Sequence, residues 1–104
     1  MTDSSRSPFS LALSVIVVSA DSGPALRDCV RSVLASNVPL ELILIDNASR
    51  DGVPPAIERA QAHDPRVRVI YNHRNLGFGK AVNLAAKQAH GQALLVLNHD
   101  CVLR

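Results

Sequence analysis

Uninterrupted runs of apolar, mostly branched residues constrain the fold of this chain more than any other feature. Val15-Ile16-Val17-Val18 and Leu42-Ile43-Leu44-Ile45 have the length of strands and are apolar on both faces. Ala93-Leu94-Leu95-Val96-Leu97 has the same character. Strands that are apolar on both faces are typical of a parallel sheet covered by helices on its two sides. These runs therefore predict buried strands over residues 11–19, 40–45 and 93–97.

Segments with helical periodicity separate the strands. Ser22-Gly23-Pro24 supplies a cap and an early proline for a first helix that Asn37 and Pro39 end. A second, short helix follows the turn at residues 46–52, and a third spans residues 77–90 and ends at Gly91. The apolar positions are Leu26, Val30, Val33 and Leu34 in the first helix, Val53, Ile57 and Ala60 in the second, and Phe78, Ala81, Val82, Ala85 and Ala89 in the third.

The order of elements predicts the topology. A further strand at residues 67–71 makes four, and each is joined to the next by a short helical connection. Right-handed crossovers favour a Rossmann-like doubly wound parallel sheet with the strand order 3-2-1-4 and helices on both faces. We expect residues 11–104 to form this unit, and the polar, Ser-rich residues 1–10 to be a disordered tail.

Composition excludes several classes of function. Aromatic residues make up 3% of the chain and the net charge is +2, so neither a stacking platform nor a basic surface for nucleic acid is indicated. No segment is long enough to span a membrane. Two cysteines are too few for a disulfide framework, which fits a reducing compartment. We expect a cytoplasmic protein, with a peripheral position at the inner face of the membrane as an alternative.

Two carboxylates stand where such a sheet binds ligands. Asp46 and Asp100 each follow an apolar strand, and ligands of open α/β sheets bind outside the carboxyl ends of the strands. Mg²⁺ and Mn²⁺ take few protein carboxylates and complete their shells with water and phosphate oxygens, and Asp100 is the better candidate ligand. The structural alternative is that each carboxylate only caps a helix or a turn.

The glycine-rich segment Gly77-Phe78-Gly79-Lys80 fits neither standard phosphate loop. A dinucleotide-binding fingerprint requires a third glycine where Val82 stands, and a P-loop requires Ser or Thr where Ala81 stands. Backbone amides at the start of the third helix could still hold an anion with help from Lys80. A solvated position is the alternative for that lysine.

Four motifs together resemble one family, the inverting family 2 glycosyltransferases of GT-A fold, and most closely their bacterial rhamnosyltransferase-like branch. The motifs are Ser14-Val15-Ile16-Val17-Val18, Leu42-Ile43-Leu44-Ile45-Asp46-Asn47-Ala48-Ser49-Arg50-Asp51-Gly52, Asn75-Leu76-Gly77-Phe78-Gly79-Lys80-Ala81-Val82-Asn83 and Leu95-Val96-Leu97-Asn98-His99-Asp100. They span nearly the whole chain in the order that the family has, and imply enzymes of cell-surface polysaccharide biosynthesis.

The resemblance implies a site for a nucleoside diphosphate sugar such as a UDP- or dTDP-sugar. Ser19, Asp21 and Asp46 would hold the nucleoside base, and Asn75, Gly77 and Lys80 would neighbour the nucleotide. The family's Asp-x-Asp metal motif falls on Asn98-His99-Asp100, with Asp100 as the ligand of Mg²⁺ or Mn²⁺. His99 replaces the proline that this branch often has.

One departure limits what the resemblance implies for this chain by itself. The family continues for about another domain, which carries the acceptor site for a saccharide or a lipid-linked acceptor and the carboxylate general base. The resemblance thus implies that this chain is the nucleotide-sugar-binding half of a hexosyltransferase-type enzyme. We expect it to be inactive alone, with no catalytic residue of its own. The alternative is a non-catalytic nucleotide-binding or interaction module that completes its sheet with another chain, since the fourth strand is expected to form an exposed apolar edge.

Overall fold

Four parallel strands and three helices make up the part of the chain that the computed structural model describes, residues 11–99. The strands form one sheet in the order β3-β2-β1-β4, so the predicted doubly wound topology is confirmed. The expected tail at residues 1–10 and the candidate metal ligand Asp100 lie outside the described residues. The elements are β1 (Leu13–Ser19), α1 (Ala25–Leu34), β2 (Leu40–Asn47), α2 (Val53–Ala60), β3 (Val67–Asn72), α3 (Phe78–Ala86) and β4 (Ala93–Asn98).

Alternate residues of the strands enter two separate cores. Val15 and Val17 of β1 face α1 and α2, whereas Ile16 and Val18 face α3. The fully buried side chains that α3 contributes to the second core are small, Ala81 and Ala85, and Val82 packs against them partly buried. Small residues let a helix approach the sheet closely. The β2 strand, which lies between β1 and β3, is buried along its whole length. The two-sided apolar runs of the sequence are explained by these two cores.

Parallel register brings the polar ends of the strands to one edge. Ser19 at the end of β1 pairs with Asp46 near the end of β2, and Asp46 in turn pairs with Tyr71 of β3. Asn47 pairs with Asn72 one position further on. On the other side of β1, Val18 pairs with Asn98. The change of direction between β2 and β4 at this edge is the switch point at which doubly wound sheets bind ligands.

Two helix boundaries differ from the sequence-based expectation. The Ser22 hydroxyl accepts a hydrogen bond from the Ala20 amide (3.1 Å) and makes no cap to α1, so the predicted cap is wrong. The third helix ends at Ala86 rather than at Gly91. After Ala86 the helical hydrogen-bond pattern is not continued. The Ala89 amide donates to the Ala86 carbonyl, three residues earlier (3.1 Å), and the His90 amide donates to Glu41 of β2 (2.5 Å).

A buried carboxylate ties the opposite, amino-terminal edge of the sheet together. Glu41 of β2 accepts hydrogen bonds from Ser14 Oγ (2.6 Å), the His90 amide (2.5 Å) and the Arg68 guanidinium (3.2 Å). The Gly91 amide donates to Ser14 Oγ (2.8 Å). We call these five residues the basal network. It links β1, β2 and β3 to the turn that precedes β4.

The β4 strand lies at one edge of the described sheet, and its residues are more exposed than those of β1 and β2. Leu94 is 51% and Val96 38% exposed, both on the side of α3. Their exposure agrees with the expected apolar edge strand, whereas the prediction of a strand buried on both faces is wrong for these residues, because α3 covers β1 and β2 instead. Over residues 11–99, no helix combines the length and the apolar character needed to cross a membrane.

Candidate functional site

Asp46 organises the ligand edge of the sheet from within. Its side chain is 3% exposed; Oδ1 accepts hydrogen bonds from Ser19 Oγ (2.8 Å) and Ser49 Oγ, and Oδ2 accepts one from the Ser49 amide (3.1 Å). Ala48 has a φ of +60°, in the left-handed region that turns the chain so that Ser49 folds back onto Asp46. Both carboxylate oxygens therefore have partners within the protein.

Asp21 joins the loop after β1 to the loop after β2. Its Oδ1 accepts hydrogen bonds from the amides of Arg50 (2.6 Å) and Asp51 (3.2 Å), and its own amide donates to Ser49 Oγ (2.8 Å). A further hydrogen bond joins the same two loops, since the Asp51 carboxylate accepts from the Gly23 amide (3.0 Å). Asp21 has a φ of +51°, which aspartate tolerates better than most residues. The two loops are thus held as one unit.

An open crevice lies at the switch point between β1 and β4. Its volume is about 310 Å³, within the lower part of the range of small-molecule sites. Its polar lining includes the side-chain amides of asparagine residues, and Phe78, 52% exposed, provides an apolar surface. The lining residues are Val18, Ala20, Asn47, Asn75, Gly77, Phe78, Asn98 and His99.

The loop from Asn75 to Gly77 forms one wall of the crevice. The Asn75 side chain accepts a hydrogen bond from the Gly77 amide (2.8 Å), and this bond closes a turn within the loop. Gly77 has φ +84° and ψ 167°, a conformation open almost only to glycine, and directly precedes α3. The conformation of this loop places the first turn of α3 beside the crevice.

The predicted site residues fall into three groups in the structure. Asn75, Gly77 and Asn98 line the crevice. Ser19, Asp21 and Asp46 lie beneath and beside it in the loop scaffold, and their assignment to the nucleoside base stays a prediction. Lys80 lines a different, shallow cleft on the outer side of α3 together with Leu84 and Lys87, so the structure does not bring it to the crevice.

The metal prediction depends on a residue outside the described part of the chain. Over residues 11–99, no three His, Cys, Asp or Glu side chains are close enough to hold a metal ion. Asn98 and His99 do line the crevice, and Asp100 follows them directly in the sequence. Oxygen and imidazole ligands at this position are compatible with a divalent cation.

Sequence reasoning missed several residues of this edge. Ser49 was included in a motif but given no role, although it bonds both Asp46 and Asp21. Asn47 was likewise given no role, although it is 4% exposed and holds the crevice wall. The available signal was the polarity of Asn47 at the end of a strand that is apolar from Leu42 to Ile45, where an unpartnered buried amide would be costly.

Tyr71 beside Asp46 acts as a hydrogen-bond donor. Partial burial, together with the hydrogen bond from its hydroxyl to Glu58 (2.8 Å) and the nearby charges of Glu58 and Asp46, raises the pKa of Tyr71 to about 12. The phenol therefore stays protonated at neutral pH.

The doubly wound sheet and the polar crevice at its switch point define a class of protein: an α/β domain that takes a ligand at the carboxyl ends of its strands. The family within that class follows from comparison with known proteins. The model of "Glycosyl transferase family 2" matches residues 14–104. The chain belongs to glycosyl transferase family 2, as the four motifs indicated.

Two relatives show the range of this similarity. The N-acetylglucosaminyl-diphospho-decaprenol L-rhamnosyltransferase of Mycobacterium tuberculosis is 39% identical over 77 residues, which are 73% of this chain and 24% of that protein. The succinoglycan biosynthesis protein ExoO of Rhizobium meliloti is 33% identical over 90 residues, 86% of this chain and 25% of that protein. The chain thus spans about a quarter of the length of these relatives.

A solved structure confirms the GT-A fold that the resemblance implied. Residues 1–349 of S. aureus TarS, in complex with UDP-GlcNAc, superpose with a TM-score of 0.78 at 26% sequence identity. The match covers 86% of this chain and 27% of that one. The similarity is to about a quarter of a longer chain.

Proposed function

We propose that this chain binds a nucleoside diphosphate sugar in the crevice between β1 and β4, as the sugar-donor half of an inverting glycosyltransferase. The observation that carries the proposal is the crevice itself, which lies at the switch point and includes Asn75, Gly77 and Asn98 of the family motifs. The S. aureus TarS structure of the same fold contains UDP-GlcNAc, which supports a UDP- or dTDP-sugar as the ligand class.

The chemistry of the crevice suits such a ligand. Phe78 and Val18 offer apolar surface, while the amides of Asn75 and Asn98 offer hydrogen-bond donors and acceptors. The amino terminus of α3 begins at the crevice wall, where the helix dipole favours negative charge such as that of a diphosphate. Ser19, Asp21 and Asp46 would support the base from the loop scaffold.

A divalent cation is part of the proposal through Asp100. Asn98 and His99 lie at the crevice and would neighbour that cation. When bound, Mg²⁺ or Mn²⁺ neutralises the charge that develops on a departing diphosphate. The chain's own contribution is to hold the diphosphate against α3 and to orient the sugar towards an acceptor.

Transfer of the sugar would require more than these residues. Inversion needs a base that deprotonates the acceptor hydroxyl, and we assign that base and the acceptor site to the length of the relatives that this chain does not span. We propose that the chain alone binds but does not transfer, that it acts in polysaccharide biosynthesis as ExoO does by name, and that it works in the cytoplasm or at the inner face of the membrane.

Calorimetric titration with UDP and with dTDP, each in the presence of Mn²⁺, tests the proposal. We expect a saturable heat with at least one nucleotide, and its loss in Asp100→Ala. Asp28→Ala is the matched control, because Asp28 is an exposed carboxylate of α1 that does not line the crevice. Equal, negligible heats for the wild-type protein and Asp100→Ala would contradict the proposal.

The exposed apolar residues of β4 favour a second candidate function, docking of another chain along this edge. An open strand edge with Leu94 and Val96 exposed can add a further strand. We expect the mass measured by sedimentation to rise with protein concentration and Val96→Lys to abolish the rise. A single monomeric mass at all concentrations would exclude self-association of this kind.

A further inference from the structure

We infer that Asn47 is a positioning residue for nucleotide binding: its buried amide holds the crevice wall, Asn75 to Gly77, at the distance from the sheet that the ligand requires. The inference rests on the proposed function and extends it to a residue for which the sequence indicated no role. Asn47 lies at the end of β2, is 4% exposed and follows Asp46 in a strand that is apolar from Leu42 to Ile45.

Three hydrogen bonds occupy the Asn47 side chain. Its Nδ2 donates to the Gly77 carbonyl (3.2 Å), and its Oδ1 accepts from the Leu76 amide (3.4 Å). Oδ1 also accepts from Asn72 Nδ2 (2.9 Å) at the end of β3. The amide therefore joins two successive backbone groups of the wall to the ends of β2 and β3.

These hydrogen bonds fix both a donor and an acceptor of the loop backbone. One bond holds the Leu76 amide, in the peptide that Leu76 forms with Asn75, and the other holds the Gly77 carbonyl, in the peptide that Gly77 forms with Phe78. The same side chain therefore orients the peptides on both sides of the Leu76–Gly77 pair. Gly77 itself offers no steric restriction, since its φ of +84° lies where glycine alone moves freely. Asn47 restricts the Gly77 carbonyl, and the hydrogen bond from the Gly77 amide to Asn75 Oδ1 restricts the amide.

Asn47 is among the residues that line the crevice, but the polar atoms of its side chain act through the wall rather than as a ligand contact. Its oxygen already accepts two hydrogen bonds, one of its amide protons is donated, and almost none of its surface is exposed. The wall carries Asn75 and begins α3, whose amino terminus faces the proposed diphosphate. A displacement of about 1 Å at such a point weakens binding and catalysis strongly.

Binding measurements on three variants test the inference. In Asn47→Ala all three hydrogen bonds are lost, and we expect affinity for UDP or dTDP with Mn²⁺ to fall about tenfold, the equivalent of one or two buried hydrogen bonds. Asn47→Asp keeps the acceptor for Leu76 but sets a carboxylate oxygen against the Gly77 carbonyl, which repels it, so the affinity of this variant should also fall below that of the wild type. Ile57→Val removes buried volume beneath α2, away from the crevice, and should leave affinity unchanged.

Amide hydrogen exchange in the free protein provides the second readout. We expect exchange at Leu76 to accelerate in Asn47→Ala, to stay slow in Asn47→Asp and to be unchanged in Ile57→Val.

If the wild-type protein binds nucleotide and Asn47→Ala binds it equally well, the inference is overturned while the proposed function stands. If Ile57→Val loses affinity to the same degree, the effect is one of general stability and the inference is also overturned. Absence of binding by the wild type would instead overturn the proposed function, and this inference with it.

Discussion

Gly91→Ala is expected to destabilise the protein by about 3 kcal/mol, at the upper end of the usual cost of overpacking a core. A Cβ atom at this position would lie 2.5 Å from the Ser14 amide nitrogen and 2.6 Å from the Leu13 carbonyl carbon. Those atoms belong to the backbone of β1, which is paired on both sides and cannot yield. The turn must move instead, and the bond from Gly91 to Ser14 Oγ breaks. Urea unfolding followed by circular dichroism measures the loss.

Gly79→Ala is the matched control for this prediction. Gly79 lies in the first turn of α3, and a Cβ there would meet no atom within 4 Å. Alanine is favoured over glycine in helices by about 0.5–1 kcal/mol, so the same substitution should leave stability unchanged or raise it. Equal effects of the two substitutions would show that close packing against β1 is not the reason for Gly91.

Glu41→Ala is the second substitution for which we expect a large effect, a loss of about 3 kcal/mol. The substitution leaves Ser14 Oγ, the His90 amide and Arg68 without their shared acceptor, and buried donors without partners carry their full desolvation cost. Glu41→Gln retains an oxygen acceptor and similar volume, so it should lose less. A Gln variant as unstable as the Ala variant would show that charge, rather than hydrogen bonding, decides the effect.

The pH dependence of stability provides an independent test of Glu41. Burial alone would raise the pKa of this carboxyl, but hydrogen bonds from Ser14 and His90 and the charge of Arg68 outweigh burial and hold the pKa below the ordinary 4.5. A carboxyl with a lowered pKa in the folded state contributes stability above its unfolded pKa and loses it as the pH falls through the folded value. The stability difference between wild type and Glu41→Gln should thus be constant near pH 7 and shrink below about pH 4.5. A difference that is independent of pH down to acid unfolding would contradict this account.

The fold was predictable because the apolar pattern leaves little choice. Strands such as Leu42-Ile43-Leu44-Ile45 are two-sided in sequence and in structure, and short connections restrict the crossovers. The end of α3 was not predictable, because Ala89 continues the helical periodicity while the helix stops at Ala86. The contact that ends it joins His90 to Glu41, 49 residues away, and helical periodicity does not register a contact so distant in sequence.

The sequence indicated that its candidate site residues follow the carboxyl ends of the strands, but it did not distinguish residues that line the crevice from residues that brace the loops. Motif resemblance identified Asn75, Gly77 and Asn98, which do line the crevice. It assigned Asp46 to the nucleoside base, whereas in the structure both carboxylate oxygens of Asp46 accept hydrogen bonds from Ser19 and Ser49. Whether a polar side chain faces a ligand or braces a loop depends on neighbours that only the folded chain supplies.

The position of β1 between β2 and β4 has a consequence for synthesis on the ribosome. Leu13 pairs with Leu40 and with Ala93, so the second partner of this first strand emerges about 80 residues after it. Until then one edge of a strand rich in valine and isoleucine is unpaired, and long-range parallel pairing is slow and prone to aggregation. Synthesis therefore leaves the nascent chain dependent on protection of β1, and the ligand crevice, which needs both β1 and β4, is the last part of the described chain to form.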